Sequence, residues 1–161
     1  RPKEANERSE IGHWETDSLL FSRAQALNVL VERLSRFTVL TRLAGKSARD
    51  TGQVLVERLR SLPRRSVTAD NGSENADHGN ISQQLAIHFF FCHPYHSWEK
   101  GTVENTNGLI RRYLPRDTDL RRVAQEELEA IAAELNHRPR KCLAFLSPAE
   151  VLFASPVALR S

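Results

Sequence analysis

His13-Trp14-Glu15-Thr16-Asp17-Ser18-Leu19-Leu20 is the stretch on which the architecture turns. It reads as a strand that ends in a turn near Ser22-Arg23. Working outward, Ala26 to Glu32 is rich in Leu and Val, and Phe37 to Leu43 alternates Phe37, Val39, Thr41 and Leu43 against Thr38, Leu40 and Arg42. Only Arg33-Leu34-Ser35-Arg36 separates the last two segments, so the three together predict an antiparallel meander.

Beyond the meander the period changes from two to that of a helix. Ser47 is placed to cap a helix, with Asp50 three residues on and Ala48, Leu55, Leu59 and Leu62 favouring one face until Pro63 ends it. Ser66 to Ala69 predicts a short strand running into the turn composition Asp70-Asn71-Gly72. A polar loop or short helix follows up to Leu85. The apolar run Ile87 to Cys92 then predicts a buried strand, stopped by Pro94. Trp98 to Tyr113 has helical spacing, and Ala124, Leu128, Ile131, Ala132 and Leu135 form a second helical stripe. Three antiparallel strands followed by strand–helix alternation predict a mixed α/β sheet of five strands with helices on its faces.

Composition limits the function classes. The 161 residues carry 23 Lys+Arg and 20 Asp+Glu, a net charge of +3, and are 40% hydrophobic, enough for one domain with its own core. That balance excludes intrinsic disorder and a coiled coil, and no apolar run approaches the ~20 residues that span a bilayer. Cys92 and Cys142 alone make no disulfide framework and suggest a reducing, cytoplasmic setting, although pairing stays open. No signal-peptide pattern opens the chain, and Arg1 is read as a cut from a longer protein. Residues 1–10 are expected to be a flexible segment, 11–154 the folded core and 155–161 a tail. Arginines gather at Arg111-Arg112-Arg116 and with Lys141 at Arg138-Arg140, a distribution that suits a polyanion as well as it suits a solvated face.

Acidic residues where strands end and helices begin come first among candidate catalytic groups. Asp17 lies inside the first strand, Asp70 directly follows the fourth, and Glu104 stands near the start of the helix opening at Trp98. An acid in a core strand needs something to compensate its charge, and a divalent cation would do so. Singly, each has an ordinary explanation: Asp70 as an Asx turn, Glu104 as a solvated first-turn residue, Asp17 as an outward residue of an edge strand. Jointly, with 33 residues between Asp70 and Glu104, they make a specific arrangement.

Several stretches carry a resemblance: GHWETD (12–17), LVERLSRFTVLTRL (30–43), TADNGSE (68–74), HPYHSWEKGTVENTNGLIRRYLP (93–115), DTDL (117–120), LNHRPRKCL (135–143) and SPAEVLF (147–153). With these the chain resembles the catalytic core of a DDE transposase, with the ribonuclease-H-like fold of retroviral integrases, most closely the insertion-sequence transposases of the IS-thirty type. Thr16 is a departure, since that family more commonly has Gly before the first Asp. The resemblance implies that Asp17, Asp70 and Glu104 bind metal. It implies Mg²⁺, or Mn²⁺ as substitute, as two ions in the DNA-bound state, cutting transposon ends and joining the freed 3′-hydroxyl to target DNA. It further implies DNA and further copies of the chain as partners, a bacterial nucleoid-associated location, and an N-terminal helix-turn-helix region that is missing here. A DNA-binding or assembly module that has lost catalysis, and a nuclease that cuts without joining, are the competing readings.

The helix around Glu104 suggests helpers. Lys100 and Arg111 fall on or near its face and are assigned to DNA phosphates, with Asn107, Arg112, Arg138, Arg140 and Lys141 as further DNA-binding residues. Gly101 and Gly108 either admit a DNA backbone or ease helix packing, and Tyr95 and Trp98 either stack on bases or cover the edge of the core. The empty site is expected to be frustrated by mutual repulsion of its carboxylates. The run Cys92-His93-Pro94-Tyr95-His96 lacks the second ligand pair that a zinc finger needs.

Overall fold

The structure, a computed structural model, describes residues 1–45 and 47–154. The expected tail 155–161 lies outside the described residues. A short helix α1 (Lys3–Glu7) precedes the strands β1 (His13–Leu20), β2 (Ala26–Glu32) and β3 (Thr38–Arg42). Helix α2 (Ala48–Leu59), strand β4 (Ser66–Ala69), helix α3 (His78–Leu85) and strand β5 (His88–Phe91) follow. The chain then forms α4 (Gly101–Ile110), α5 (Gln125–His137) and α6 (Pro148–Ala154). No helix among them is long and apolar enough to cross a membrane.

One five-stranded sheet has the order β3-β2-β1-β4-β5. β1 and β2, and β2 and β3, pair antiparallel, whereas β1 with β4 and β4 with β5 are parallel. The meander and the mixed sheet thus match the reading of the residues. Side-chain alternation divides the core between two faces. Leu19, Val29, Val31 and Leu40 pack with Val103 and Ile110 of α4 and Leu128 and Leu135 of α5. Trp14, Leu30 and Val67 turn the other way, onto Leu55 and Leu59 of α2 and Ile81 and Leu85 of α3. Both faces of the central strands are covered, which is why β2 is buried along its whole length.

Local chemistry explains the joints. The Ser47 hydroxyl accepts the Asp50 amide at 3.1 Å and caps α2 as its sequence suggests. Gly12, at φ +107, passes its carbonyl to the amides of Arg65 (2.7 Å) and Ser66 (3.2 Å), and a Cβ there would meet Arg65 Cγ at 3.1 Å. β3 is an edge strand, and Asn136 of α5 closes part of that edge. Its amide accepts from Thr38 N and donates to Thr38 O, both at 2.8 Å, as a neighbouring strand would.

Segment 1–10 carries α1, and Ala5 is fully buried while its carbonyl accepts from Arg33 Nε at 2.8 Å. Two expectations change in the folded chain. The run 87–92 forms not a buried strand but the sheet's other edge, with His88 exposed and Phe89 to Phe91 only half-buried, because no strand among the described residues pairs beyond β5. The helix expected from Trp98 begins as a 3₁₀ turn, Ser97–Lys100, and becomes α-helical only at Gly101.

Candidate active site

Register brings the first two acids together. β1 and β4 pair one-for-one through His13–Ser66, Trp14–Val67 and Glu15–Thr68, so continuing that step sets Asp17 abreast of Asp70 at the carboxyl end of β4. Period two places Glu15, Asp17 and Leu19 on the sheet face that receives α4. Thr16 points to the opposite face, where its hydroxyl accepts from Asn28 Nδ2 at 3.0 Å, away from the Asp17 carboxylate.

Asp17 is compensated from within the chain. Lys100 donates to Asp17 Oδ1 at 3.2 Å and to Asp70 Oδ2 at 3.3 Å, and Asn107 donates to Asp17 Oδ2 at 2.9 Å. The Lys100 side chain is only 7% exposed, against 23% for Asp17 and 45% for Asp70. Burial alone would push the ammonium's pKa down, but the Asp17 and then the Asp70 charge outweigh it and hold it above its ordinary value. The expected frustration of bare carboxylates is therefore relieved by an internal cation. Asp70 is also fixed as an Asx turn, its Oδ1 accepting from Gly72 N at 3.0 Å and Asn75 Nδ2 at 3.1 Å.

Glu104, exposed on α4, shares with Asp17, Asp70 and Lys100 a cleft of about 550 Å³ that Asn71, His93 and Tyr95 also line. The three carboxylates share the cleft but do not all lie within 4.8 Å of one another. Hard carboxylate oxygens suit a divalent ion such as Mg²⁺. Asn107 Oδ1, buried beside Asp17 without a hydrogen-bond partner among the described residues, adds an unspent oxygen, so the donor set fits such an ion.

Reading the residues in order missed the group that holds α4 in place. Glu15 Oε2 accepts the Val103 amide at 2.8 Å in the first turn of α4, and its other oxygen pairs with buried Arg33. Burial pushes the Arg33 guanidinium down to about 10 against the raising charge of Glu15. The signal was present: Glu15 stands two residues from Asp17 on one strand, hence on one face.

The assigned DNA-binding residues divide. Lys100 and Asn107 are engaged by the acids. Arg111 donates to Leu20 O at 2.6 Å and lies 4.5 Å over the Phe21 ring. Arg138 pairs with Glu134 at 3.0 Å, and Arg140 reaches Leu135 O at 3.3 Å. Arg112 and Lys141 are exposed. Tyr95 and Trp98 do not cover the core edge, being 99% and 69% exposed, and Trp98 stacks on His96 instead, with ring centroids 4.4 Å apart. A Cβ on Gly101 or Gly108 would meet nothing within 4 Å, so neither exists to ease helix packing. His93, His96 and Glu99 gather at the cleft mouth, where His93 Nδ1 lies 3.0 Å from Glu99 Oε1, while Cys92 is buried.

No protein-family model matches the chain. It is similar to the transposase InsI for insertion sequence element IS30A of Escherichia coli, at 41% identity over 94% of this chain and 40% of that protein. The transposase for insertion sequence element IS1086 of Cupriavidus metallidurans is 44% identical over 94% of this chain and 46% of its own length. That for IS4351 of Bacteroides fragilis is 39% identical over 93% and 47%. The chain thus spans less than half the length of these relatives. In fold it is similar to the catalytic core domain of BIV integrase, with TM-score 0.71 and 17% identity, covering 92% of this chain and 98% of that one. It is also similar to a chain of the simian T-cell lymphotropic virus intasome solved with PP2A regulatory subunit B56 gamma. That match has TM-score 0.69 and 21% identity over 90% of this chain and 55% of that one.

Proposed function

From the premise that this chain is an IS-thirty-type transposase relative with a ribonuclease-H-like, integrase-core fold, we propose that it is the catalytic domain of a DNA transposase, a polynucleotidyl transferase. The observation that carries the reading is the pairing of Asp17 and Asp70 on neighbouring strands, around a buried Lys100, in a cleft shared with Glu104.

Asp17, Asp70 and Glu104 hold Mg²⁺ or Mn²⁺ in this reading. When bound, such ions activate a water or 3′-hydroxyl and stabilise the departing 3′-oxygen in an in-line phosphoryl displacement. The chain's own contributions are positional. The Glu15–Val103 link sets the start of α4 against β1, and with it Glu104, which stands one residue further on. Asn107 fixes the orientation of the Asp17 carboxylate. Lys100, released from the acids, is within reach of a phosphate in the same cleft. Exposed Trp98 and Tyr95 at the mouth offer faces on which unpaired bases stack. DNA is the substrate, and paired ends call for more than one copy of the chain.

An oligonucleotide assay with Mg²⁺ and with Mn²⁺ tests this, comparing the wild type with Glu104→Gln. Joined product that disappears in the variant is the expected result. Cleavage without joining would make the protein a nuclease of the same fold. Neither product, in a preparation that binds the oligonucleotide, would leave an assembly module.

A further inference from the structure

On the side of α4 turned away from Glu104 lies a second, smaller cavity of about 200 Å³. Helical spacing puts Thr102 and Thr106 opposite Glu104, with Asn105 between the faces. Three guanidiniums converge there from distant parts of the chain: Arg8 after α1, Arg36 in the β2–β3 turn and Arg140 after α5. Arg8 Nη2 and Arg36 Nη1 both donate to one neutral acceptor, Thr102 Oγ1, at 3.1 and 3.0 Å. Arg140 Nε is buried without a hydrogen-bond partner among the described residues.

None of the three takes part in a salt bridge among the described residues. Glu15, the acid whose charge acts on Arg8, is already committed to Arg33 and the Val103 amide. Burial first, and then the Arg36 charge, push the Arg8 guanidinium down, and burial lowers Arg140 as well. Like charges held together this way without a counter-charge are unfavourable, and an anion entering the cavity reverses the sign of that interaction. The cavity is smaller than the ~300–1,000 Å³ of sites for drug-sized ligands, so the anion is small or one group of a chain. Gly101 opens the first turn of α4 beside it, where a side chain would otherwise project into open space.

We infer that the Arg8–Arg36–Arg140 cavity is a phosphate site that takes one backbone phosphodiester of a nucleic-acid strand, separate from the phosphate handled at the carboxylate cleft. Guanidinium forks match phosphate oxygens in pairs, and Thr102 and Asn105 supply further polar groups. A phosphate here ties α1, the β2–β3 turn and the segment after α5 to the first turn of α4. The choice of nucleic acid over free phosphate rests on the function proposed above.

The test uses the chain as it stands, with Arg36→Gln, Arg140→Gln and, as a control, Arg60→Gln at an exposed position beyond α2. Melting temperature is followed against inorganic phosphate at constant ionic strength, and the affinity for a labelled DNA duplex against salt. Phosphate should raise the melting point of the wild type and of Arg60→Gln but not of either cavity variant. Duplex binding should weaken about five- to tenfold in each cavity variant, with the salt slope reduced by about one. A Mn²⁺-induced melting shift equal to the wild type's verifies that the variants keep the rest of the fold. No phosphate-specific rise in the wild type, or an equal loss in Arg60→Gln, overturns the site. A phosphate effect with unchanged duplex affinity overturns its assignment to nucleic acid. A wild type that binds DNA through the cavity yet neither cuts nor joins would defeat the proposed function and leave this inference standing.

Discussion

Replacing Lys100 by Met should tighten divalent-metal binding, because the ammonium lies between two of the carboxylates that hold the ion. At an effective dielectric constant of about 20, the observed separations of 3.2 and 3.3 Å correspond to about 5 kcal/mol of attraction per pair. Water around Asp70, whose side chain is 45% exposed, reduces its share to about 1–2 kcal/mol. Returning the ammonium to water recovers several kcal/mol and offsets most of the remainder. About 1.5–3 kcal/mol is then left opposing an incoming cation, whether the ammonium is evicted or shares the site with it, which is about ten- to a hundredfold in affinity. Met preserves the buried stem and removes the charge. Calorimetric titration with Mn²⁺ should therefore give a lower Kd for Lys100→Met, and the metal-induced rise in melting temperature should grow, starting from a less stable metal-free protein. A variant that binds Mn²⁺ no more tightly than the wild type would refute the reasoning and leave Lys100 as a phosphate contact alone.

Mg²⁺ or Mn²⁺ should raise the melting temperature of the wild type, and Asp17→Asn or Asp70→Asn should abolish most of that rise; equal shifts in all three proteins would exclude these residues as ligands. Breaking the Glu15–Arg33 pair by Arg33→Met strands a fully buried carboxylate and should cost about 3–5 kcal/mol in chemical denaturation. Asn136→Ala removes both partners of Thr38's main chain at the edge of β3 and should cost about 1–3 kcal/mol, read by the same method. The Arg121 guanidinium, and then the Gln25 amide, hold the Asp119 carboxyl well below the usual carboxylate range. A depressed folded-state pKa stabilises the protein above the unfolded value and loses that contribution as pH falls through the folded one. The melting-temperature gap between wild type and Asp119→Asn should thus be constant above about pH 5 and close as pH falls below about 4. A gap that persists in strong acid would show that the carboxylate charge is not what matters.

The amino-acid sequence by itself determined the strand order along the chain, the placement of α2 and α5, and the position of the three acids, one inside β1, one directly after β4 and one near the start of α4. Most of these are written in short-range terms: period-two alternation in 37–43, a Ser–Asp cap at 47–50, an apolar stripe at 124–135. A run of about ten residues suffices to encode such patterns, because side-chain direction within one element follows from backbone geometry alone. Even the β1 face shared by Glu15 and Asp17 could be read this way. Only the tertiary structure decided which groups meet. Lys100 is 83 residues from Asp17 and 30 from Asp70, and nothing near it in the chain distinguishes an ammonium destined for two carboxylates from one facing solvent. Sheet order made β5 an edge and left its phenylalanines half-exposed, a fact the apolar run 87–92 does not carry. The meeting of Arg8, Arg36 and Arg140 likewise depends on how α1, a turn and the end of α5 pack around α4. Partner choice among charges is set by long-range geometry and by the water that geometry excludes, and neither is a property of a local stretch of sequence.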